Sequence, residues 1–513
     1  MVLNDSADSA TAVSKIGILL PGVLTFKNAG LTGSAIARTT ALQSVSVESV
    51  LLTHVWQPFI GDEIDRLLES GRLLPTVEVS NLFVELARWA STAHSEGSAT
   101  PHIDTILTKN GAARIFLEPF IDARATERAS VQYYGDSDRI ASVDLFSNGQ
   151  AYAKVFANES GCIARIQEFD DSGKFQTDRF LTATGDVFLV YGSFGESGFG
   201  YYSVEGDSKE WIGSKEALIG YWLKRKFRSV ELGALVSEFA PHAIHLDAIG
   251  EASAVLGTKS IYVLHSNHLK PPYRDARQAR PGLADALERI SEMDALVVLT
   301  DQQRFDLFKK YGHFSRMHVV PHAVEAARSA RVGDRDPKLA VIISRVDPGK
   351  GHIPFVRAVA EHVNDWQGYR VEVWGAGQLC DELVSEIDRL GVGDIVRYCG
   401  FTTSPNEVYS RASVALFPNT QEAQPISVLE AKAVGAVPVG FDFKYGARSM
   451  ISDCKSGIIV DPGDFSDLSW SCLSLLGNPE LCASFASNAA AEANSRSSVD
   501  LGRDWKRLIE SLQ

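Results

Sequence analysis

Two carboxylates, Glu422 and Glu430, stand eight positions apart in Gln421-Glu422-Ala423-Gln424-Pro425-Ile426-Ser427-Val428-Leu429-Glu430-Ala431-Lys432. The first falls in a loop and the second in the helix expected to follow, so both can reach hydroxyl groups of one ligand. Upstream, Ser344-Arg345-Val346-Asp347-Pro348-Gly349-Lys350-Gly351 places two cations just after a hydrophobic run. Arg grips phosphate with parallel hydrogen bonds, Lys acts as a point charge, and the flanking glycines let the backbone approach a ligand. Cations for a diphosphate and carboxylates for hydroxyls together describe a nucleotide-sugar. The chemistry they suit is transfer of its sugar. Glu430 would accept from both ribose hydroxyls, and Glu422 would face the transferred sugar. The helix starting near Pro425 would add backbone donors and a favourable dipole for phosphate. An E-x7-E spacing alone is common by chance; it gains meaning here from the strand-like run 414–418 before it and from Arg345 and Lys350.

His265, in His265-Ser266-Asn267-His268, follows a strand-like run and should emerge at a sheet mouth. A histidine there can bond to the acceptor or the diphosphate. Other patterns carry less. Gly375-Ala376-Gly377 follows a strand, but the third glycine of a dinucleotide fingerprint would fall at Cys380. Asp136-Ser137-Asp138 and Asp334-Arg335-Asp336 read as solvated turn residues rather than metal ligands, and no His/Cys set has zinc spacing.

These groups need elements to position them. A chain of 513 residues exceeds one hydrophobic core, so two or three domains are expected. Hydrophobic content of 45% and charged content of 22% are those of a soluble globular protein. Net charge of −14 argues against a general nucleic-acid binder. Two basic runs stand out, Lys224-Arg225-Lys226-Phe227-Arg228 and Lys270, Arg274, Arg277 and Arg280; solvated helix faces and an anionic partner are both open. The six cysteines lack metal or disulfide spacing and read as buried reduced thiols. Residues 1–14 do not read as a secretory signal, and no run reaches the length of a membrane span.

Ile16-Gly17-Ile18-Leu19-Leu20 reads as a buried strand, with helices near 62–70 and 77–91. Between about 113 and 202 the sequence alternates with period two, with Asn148-Gly149 and Ser172-Gly173 as hairpin signals. The stretch 192–200, rich in Gly and Ser, reads as a flexible exit. Strands are then expected at 243–246, 260–264, 295–299 and 318–320, a linker at 324–337, and strands at 339–343, 370–374, 395–398, 414–417 and 437–440. The fold class expected is α/β: two Rossmann-like domains facing a cleft, with an antiparallel β-sheet domain inserted in the N-terminal one. The domains are 1–95 and 209–325 for the N-terminal Rossmann-like acceptor domain and 96–208 for the insertion. Residues 326–495 form the nucleotide-sugar-binding domain and 496–513 a C-terminal helix.

With these residues in view, the chain resembles the retaining two-Rossmann-domain (GT-B) glycosyltransferases with an E-x7-E motif. Gly30-Leu31-Thr32-Gly33-Ser34, His265-Ser266-Asn267-His268, Val298-Leu299-Thr300-Asp301-Gln302-Gln303, Pro321-His322-Ala323-Val324 and Phe441-Asp442-Phe443-Lys444-Tyr445-Gly446 narrow the resemblance to one branch. That branch holds the poly(glycerol-phosphate) and wall-teichoic-acid α-glycosyltransferases and the enzymes that glycosylate serine-rich adhesins. The resemblance implies a UDP-sugar donor, UDP-glucose or UDP-N-acetylglucosamine, no cofactor or catalytic metal, and retention of configuration. It implies His265, Arg345, Lys350 and Glu422 as catalytic residues. Gly30, Thr32, Arg345, Lys350, Glu422, Gln424, Ser427 and Glu430 are the implied substrate-binding set. The implied acceptor is a hydroxyl of a teichoic-acid-like polyol phosphate or a protein. A cytoplasmic location at the inner membrane face and a homo-oligomer formed through the β domain complete the expectation. The alternative is a non-catalytic subunit that binds acceptor and stabilises a sister enzyme. One departure stands out: Glu422-Ala423-Gln424-Pro425 replaces the usual Glu-Gly pair and further glycine, and Pro425 has no N–H to donate.

Overall fold

The computed structural model describes residues 15–26, 30–92, 102–104, 128–135, 137–194, 198–205, 208–238, 244–275, 277–324 and 335–513. The expected turn at Asp136, the linker residues 325–334 and the expected non-signal terminus 1–14 lie outside them. Packing divides the chain into two compact units: Met1–Ile36, Glu48–Glu238 and His242–Ser260, then Ala37–Val47, Phe239–Pro241 and Ile261–Gln513.

The first unit begins with parallel strands β1 (Lys15–Leu20), β2 (Ser49–Thr53) and β3 (Glu78–Asn81). An antiparallel meander follows: β4 (Arg128–Tyr133), β5 (Ile140–Ser147), β6 (Gln150–Ala157), β7 (Ile163–Phe169), β8 (Phe175–Leu181), β9 (Val187–Ser193), β10 (Phe199–Glu205) and β11 (Ser208–Gly213). Each meander strand pairs with its sequence neighbour. Asn148 and Gly149 take positive φ of 51° and 76°, the backbone a two-residue hairpin turn requires, and join β5 to β6. Strand β12 (Leu232–Glu238), buried at every position, completes the local order β12-β1-β2-β3.

In the second unit, β13 (Lys259–Leu264), β14 (Ala295–Val298) and β15 (Met317–Val319) run parallel in the order β15-β14-β13. A six-stranded parallel sheet follows from β16 (Asp336–Ile343), β17 (Arg370–Trp374), β18 (Val396–Gly400), β19 (Ala412–Phe417), β20 (Val437–Phe441) and β21 (Ile458–Val460). Its order is β18-β17-β16-β19-β20-β21, so the winding reverses between β16 and β19. Its core includes Phe355, Trp366, Val371, Val373, Val414, Leu416, Val437 and Val439.

Four expectations change. Of the strand expected at 243–246, residues 244–246 instead begin the helix Ile244–Leu256, residue 243 lies outside the described residues, and the strand lies earlier, at β12. Four consecutive apolar-leaning residues cannot distinguish a buried strand from a buried helix turn. The stretch expected to be helical from 77 divides into β3 and the helix Leu82–Thr92. Asn81 makes the division, its Oδ1 accepting from the Phe83 N–H at 3.0 Å and the Val84 N–H at 3.3 Å as an N-cap. The glycine-rich 192–200 is not an exit from the meander, because Gly192 lies in β9 and Gly200 in β10. A Cβ on Gly200 would collide with the Trp211 ring, so this glycine makes room for packing. Burial of the thiols also does not extend to all: Cys472 and Cys482 are buried, but Cys454 is exposed. Among the described residues no helix is long and apolar enough to cross a membrane.

The first unit contains an acid-sensitive pair. His54 and His245 meet Nε2 to Nε2 at 2.8 Å, and His245 Nδ1 lies 2.8 Å from Ser237 Oγ. Burial lowers His54 to about 3 and His245 to about 4, each helped by nearby positive charge. The unfolded chain protonates both near their ordinary value of about 6.5, whereas the folded chain keeps them neutral. Their contribution is therefore present above pH 6.5 and is lost as pH falls toward 4. At pH 5.5 the loss is about 1 kcal/mol per histidine. Melting measured by calorimetry at pH 7.5 and 5.5 should show a lower transition at 5.5. In His245→Asn the difference should narrow; an unchanged difference would remove the pair as its source.

Candidate active site

Ligands of open α/β sheets bind beyond the carboxyl ends of the strands where the winding reverses. In the second unit that point is flanked by the loops after β16 and β19. The first loop carries Arg345 and Lys350, and the second carries Glu422.

The β16 loop is fixed by main-chain bonds. The Val346 N–H donates to Ala376 O and the Leu379 N–H to Val346 O, each at 3.0 Å. Gly377 is in the loop after β17, where a Cβ would collide with Val346 O, which explains the Gly-Ala-Gly run without a dinucleotide. Arg345 is largely exposed and ion-paired to Asp347 Oδ2. The other oxygen of Asp347 accepts from the Gln378 N–H at 3.2 Å. Lys350 Nζ is ion-paired to Glu422 Oε1, with side chains 18% and 24% exposed. Gly349 and Gly351 have φ of 82° and 79°, and a Cβ on Gly351 would collide with Pro418 O. Behind them His352 Nε2 lies 3.0 Å from Ser344 Oγ. Burial and then Lys350 lower His352 to about 4.

The β19 loop leads into the helix Ile426–Val434, which ends at Gly435 with φ 82°. Pro425 is its N-cap and makes no side-chain cap bond. Ser427 and Glu430 are half-buried on this helix. The Tyr409 phenol beneath is pushed well up by burial and then by the Glu430 carboxylate. Gln424 is buried, and its Oε1 accepts from the His322 N–H at 2.6 Å. The His322 ring stacks on His265 at 5.6 Å between centroids. Burial, then Arg38, holds His265 well below its ordinary value; His322 is lowered by burial, then by His265. Both imidazoles are therefore neutral at pH 7.

Of the expected residues, the second unit brings Lys350 and Glu422 into contact, with Arg345 on the loop of Lys350 and Glu430 on the helix that follows Glu422. Gln424 links that loop to the His265–His322 stack. Gly30 and Thr32 belong to the first unit at the start of the helix Leu31–Ser44, Gly30 exposed and Thr32 buried. Of the basic runs, Lys224 pairs with Glu251, and Lys226 with Glu78 and Glu85. Arg280 is turned to Ser266 Oγ and Asn267 O, bracing the segment after β13. Arg274 instead lines a cavity of about 280 Å³ with Tyr273, Gln302, Thr420, Asp442 and Lys444. Sequence reasoning gave no role to Asp306, Asn267, His268 and Tyr445. They cluster around the 442–446 loop; Asn267, His268 and Tyr445 lie in motifs singled out above, whereas Asp306 lies beyond the 298–303 motif and carried no such signal. Among the described residues no group of three or more His, Cys, Asp or Glu could hold a metal ion.

Residues 324–492 match the family described as Glycosyl transferases group 1. The chain is 21% identical to the poly(glycerol-phosphate) alpha-glucosyltransferase of Bacillus subtilis (strain 168), over 96% of this chain and 74% of that one. It is 20% identical to the poly(ribitol-phosphate) alpha-N-acetylglucosaminyltransferase of Staphylococcus aureus (strain COL), over 94% and 97% of the two chains. A solved S. aureus TarM mutant in complex with Fondaparinux, alpha-GlcNAc-glycerol and UDP shares the fold. The TM-score is 0.81 at 18% identity, covering 97% of this chain and 99% of that one.

The glycine at 351 is demanded twice, by its φ and by Pro418 O. Gly351→Ala should destabilise the chain by about 1–3 kcal/mol in a denaturant melt and displace Lys350. A substitution without effect on stability would show that the two loops do not meet as closely as described.

Proposed function

We propose, from the premise that residues 324–492 form a group 1 glycosyl transferase domain, that this chain transfers a hexose or N-acetylhexosamine from a UDP-sugar with retention of configuration. The observation that carries the reading is the meeting of Lys350 and Glu422 at the reversal point between β16 and β19. An arriving diphosphate competes with Glu422 for Lys350 and with Asp347 for Arg345. Once those cations turn to phosphate, the Glu422 carboxylate is released to accept from a hydroxyl of the donor sugar. Glu430 accepts from the ribose hydroxyls, and the first-turn N–H groups of its helix face the phosphates. The acceptor oxygen bonds to the anomeric carbon on the face from which UDP departs, the bond from that carbon to the phosphate oxygen breaks, and the hydroxyl proton passes to the departing diphosphate. The main help is electrostatic: Arg345, Lys350 and the helix terminus stabilise charge developing on the leaving diphosphate. Neutral His265 offers a hydrogen bond beside the reacting carbon without adding charge. Pro425 adds no N–H to the donors of the helix terminus, and Gln424 Oε1 holds the His322 N–H.

The proposed acceptor is a hydroxyl of a polyol-phosphate polymer, the class named for the two relatives above. The proposal extends to a cytoplasmic enzyme working at the inner membrane face and to self-association through the meander. UDP release from a panel of nucleotide-sugars, with and without such a polymer, tests the reading. One donor should turn over and polymer should stimulate it. Lys350→Ala should lower kcat/KM by about 10²–10³-fold. Silence with every donor, or an unaffected Lys350→Ala, would refute it.

A further inference from the structure

The Glu422 main chain is held by a second segment, 444–446. The Glu422 N–H donates to Lys444 O at 3.3 Å, the Tyr445 N–H to Glu422 O, and the Gly446 N–H to Ala423 O at 2.8 Å. Gly446 permits this approach, since a Cβ there would collide with Ala423 O. Segment 444–446 is gripped in turn by groups distant in sequence. Asp306 Oδ2, on the helix Asp301–Tyr311, accepts from Lys444 Nζ at 2.9 Å and from Tyr445 Oη at 3.1 Å. Asn267 Nδ2 donates to Lys444 O at 2.6 Å. The His268 ring stacks on Tyr445, with centroids 5.5 Å apart and planes 7° from parallel.

The burial here is costly unless it has a use. Asp306 is 8% exposed, Tyr445 2% and His268 fully buried. Among the described residues neither ring nitrogen of His268 has a hydrogen-bond partner. A buried imidazole without partners serves as a flat apolar plate, and burial lowers it to about 3, so it stays neutral. Burial and Asp306 push the Tyr445 phenol far up, so its proton stays on the oxygen and is donated to the carboxylate. Charge, hydrogen bond and stacking thus converge on two consecutive residues, whose backbone holds the loop bearing Glu422.

We propose that Asp306, Lys444 and Tyr445, braced by Asn267 and His268, form a latch that positions the Glu422 loop against the transferred sugar. The proposal rests on the reading of Glu422 given above. The latch residues are positioning residues and touch neither diphosphate nor ribose, which Arg345, Lys350 and Glu430 serve. Breaking the latch therefore lowers turnover and leaves the grip on UDP intact.

The test uses the full chain with Asp306→Ala and Tyr445→Phe, the latter removing only the O–H and keeping the ring. Steady-state UDP release should show kcat down by about 10²-fold in Asp306→Ala and less in Asp306→Asn, which keeps an acceptor for Tyr445. UDP affinity by calorimetry should stay within about twofold of the unaltered chain. Hydrogen exchange, read without turnover, should be about tenfold faster for peptides covering 420–424 and 442–446 and unchanged for 345–350. Should Asp306→Ala fail to fold, Tyr445→Phe shows the same pattern in smaller degree. Unchanged exchange in both peptides would overturn the latch even if the unaltered chain released no UDP, the result that separately defeats the transferase reading. Parallel losses of kcat and UDP affinity would also overturn it, since they mark a general structural role.

Discussion

The ion pair between Lys350 and Glu422 is the contact on which the site depends. Its partners leave the carboxyl ends of β16 and β19, the neighbouring strands between which the sheet reverses its winding. Such a position offers backbone ends without side-by-side helices to fill them, so charged side chains can converge there. An ammonium and a carboxylate facing each other satisfy both charges. The same two groups can separate onto a diphosphate and a sugar hydroxyl. Arg345 and Asp347 repeat the arrangement within the loop that carries Lys350. Both candidate phosphate-binding cations thus rest against carboxylates, which keeps the local charge balanced.

Close backbone approach is the second constraint. Gly351 lies against Pro418, Gly377 against Val346, and Gly446 against Ala423. Each of these glycines lets one loop of the site rest on another. The buried Asp306–Lys444–Tyr445 cluster extends this chain of contacts to the segment after β13. That segment carries His265, so its histidine and Glu422 are tied to one set of contacts.

Much of the fold was legible because its signals are local. Asn148-Gly149 fixes its turn through backbone preference, and β16, β19 and β20 stand out as continuous apolar runs between helices. The strand expected at 243–246 was lost because its residues pack equally well as the first turn of a helix. The break at Asn81 was missed because a cap is a side-chain event inside an apolar stretch. Within the candidate site, Arg345, Lys350, Glu422 and Glu430 stand out in the sequence as charges beside strand-like runs. Asp306 does not, because nothing near it in sequence shows that Lys444 and Tyr445, more than a hundred positions away, complete its bonds. A tertiary cluster of that kind has no sequence period to betray it.

The most direct test of the account is calorimetric titration of UDP into the unaltered chain and into Glu422→Gln. If Glu422 holds Lys350 in the ligand-free state, removing its charge frees the ammonium, and UDP should bind more tightly to Glu422→Gln. A UDP-sugar should lose the advantage its sugar gains from the carboxylate. UDP binding that is unchanged or weaker in Glu422→Gln would contradict the account, since Lys350 would then not be shared between the carboxylate and the diphosphate.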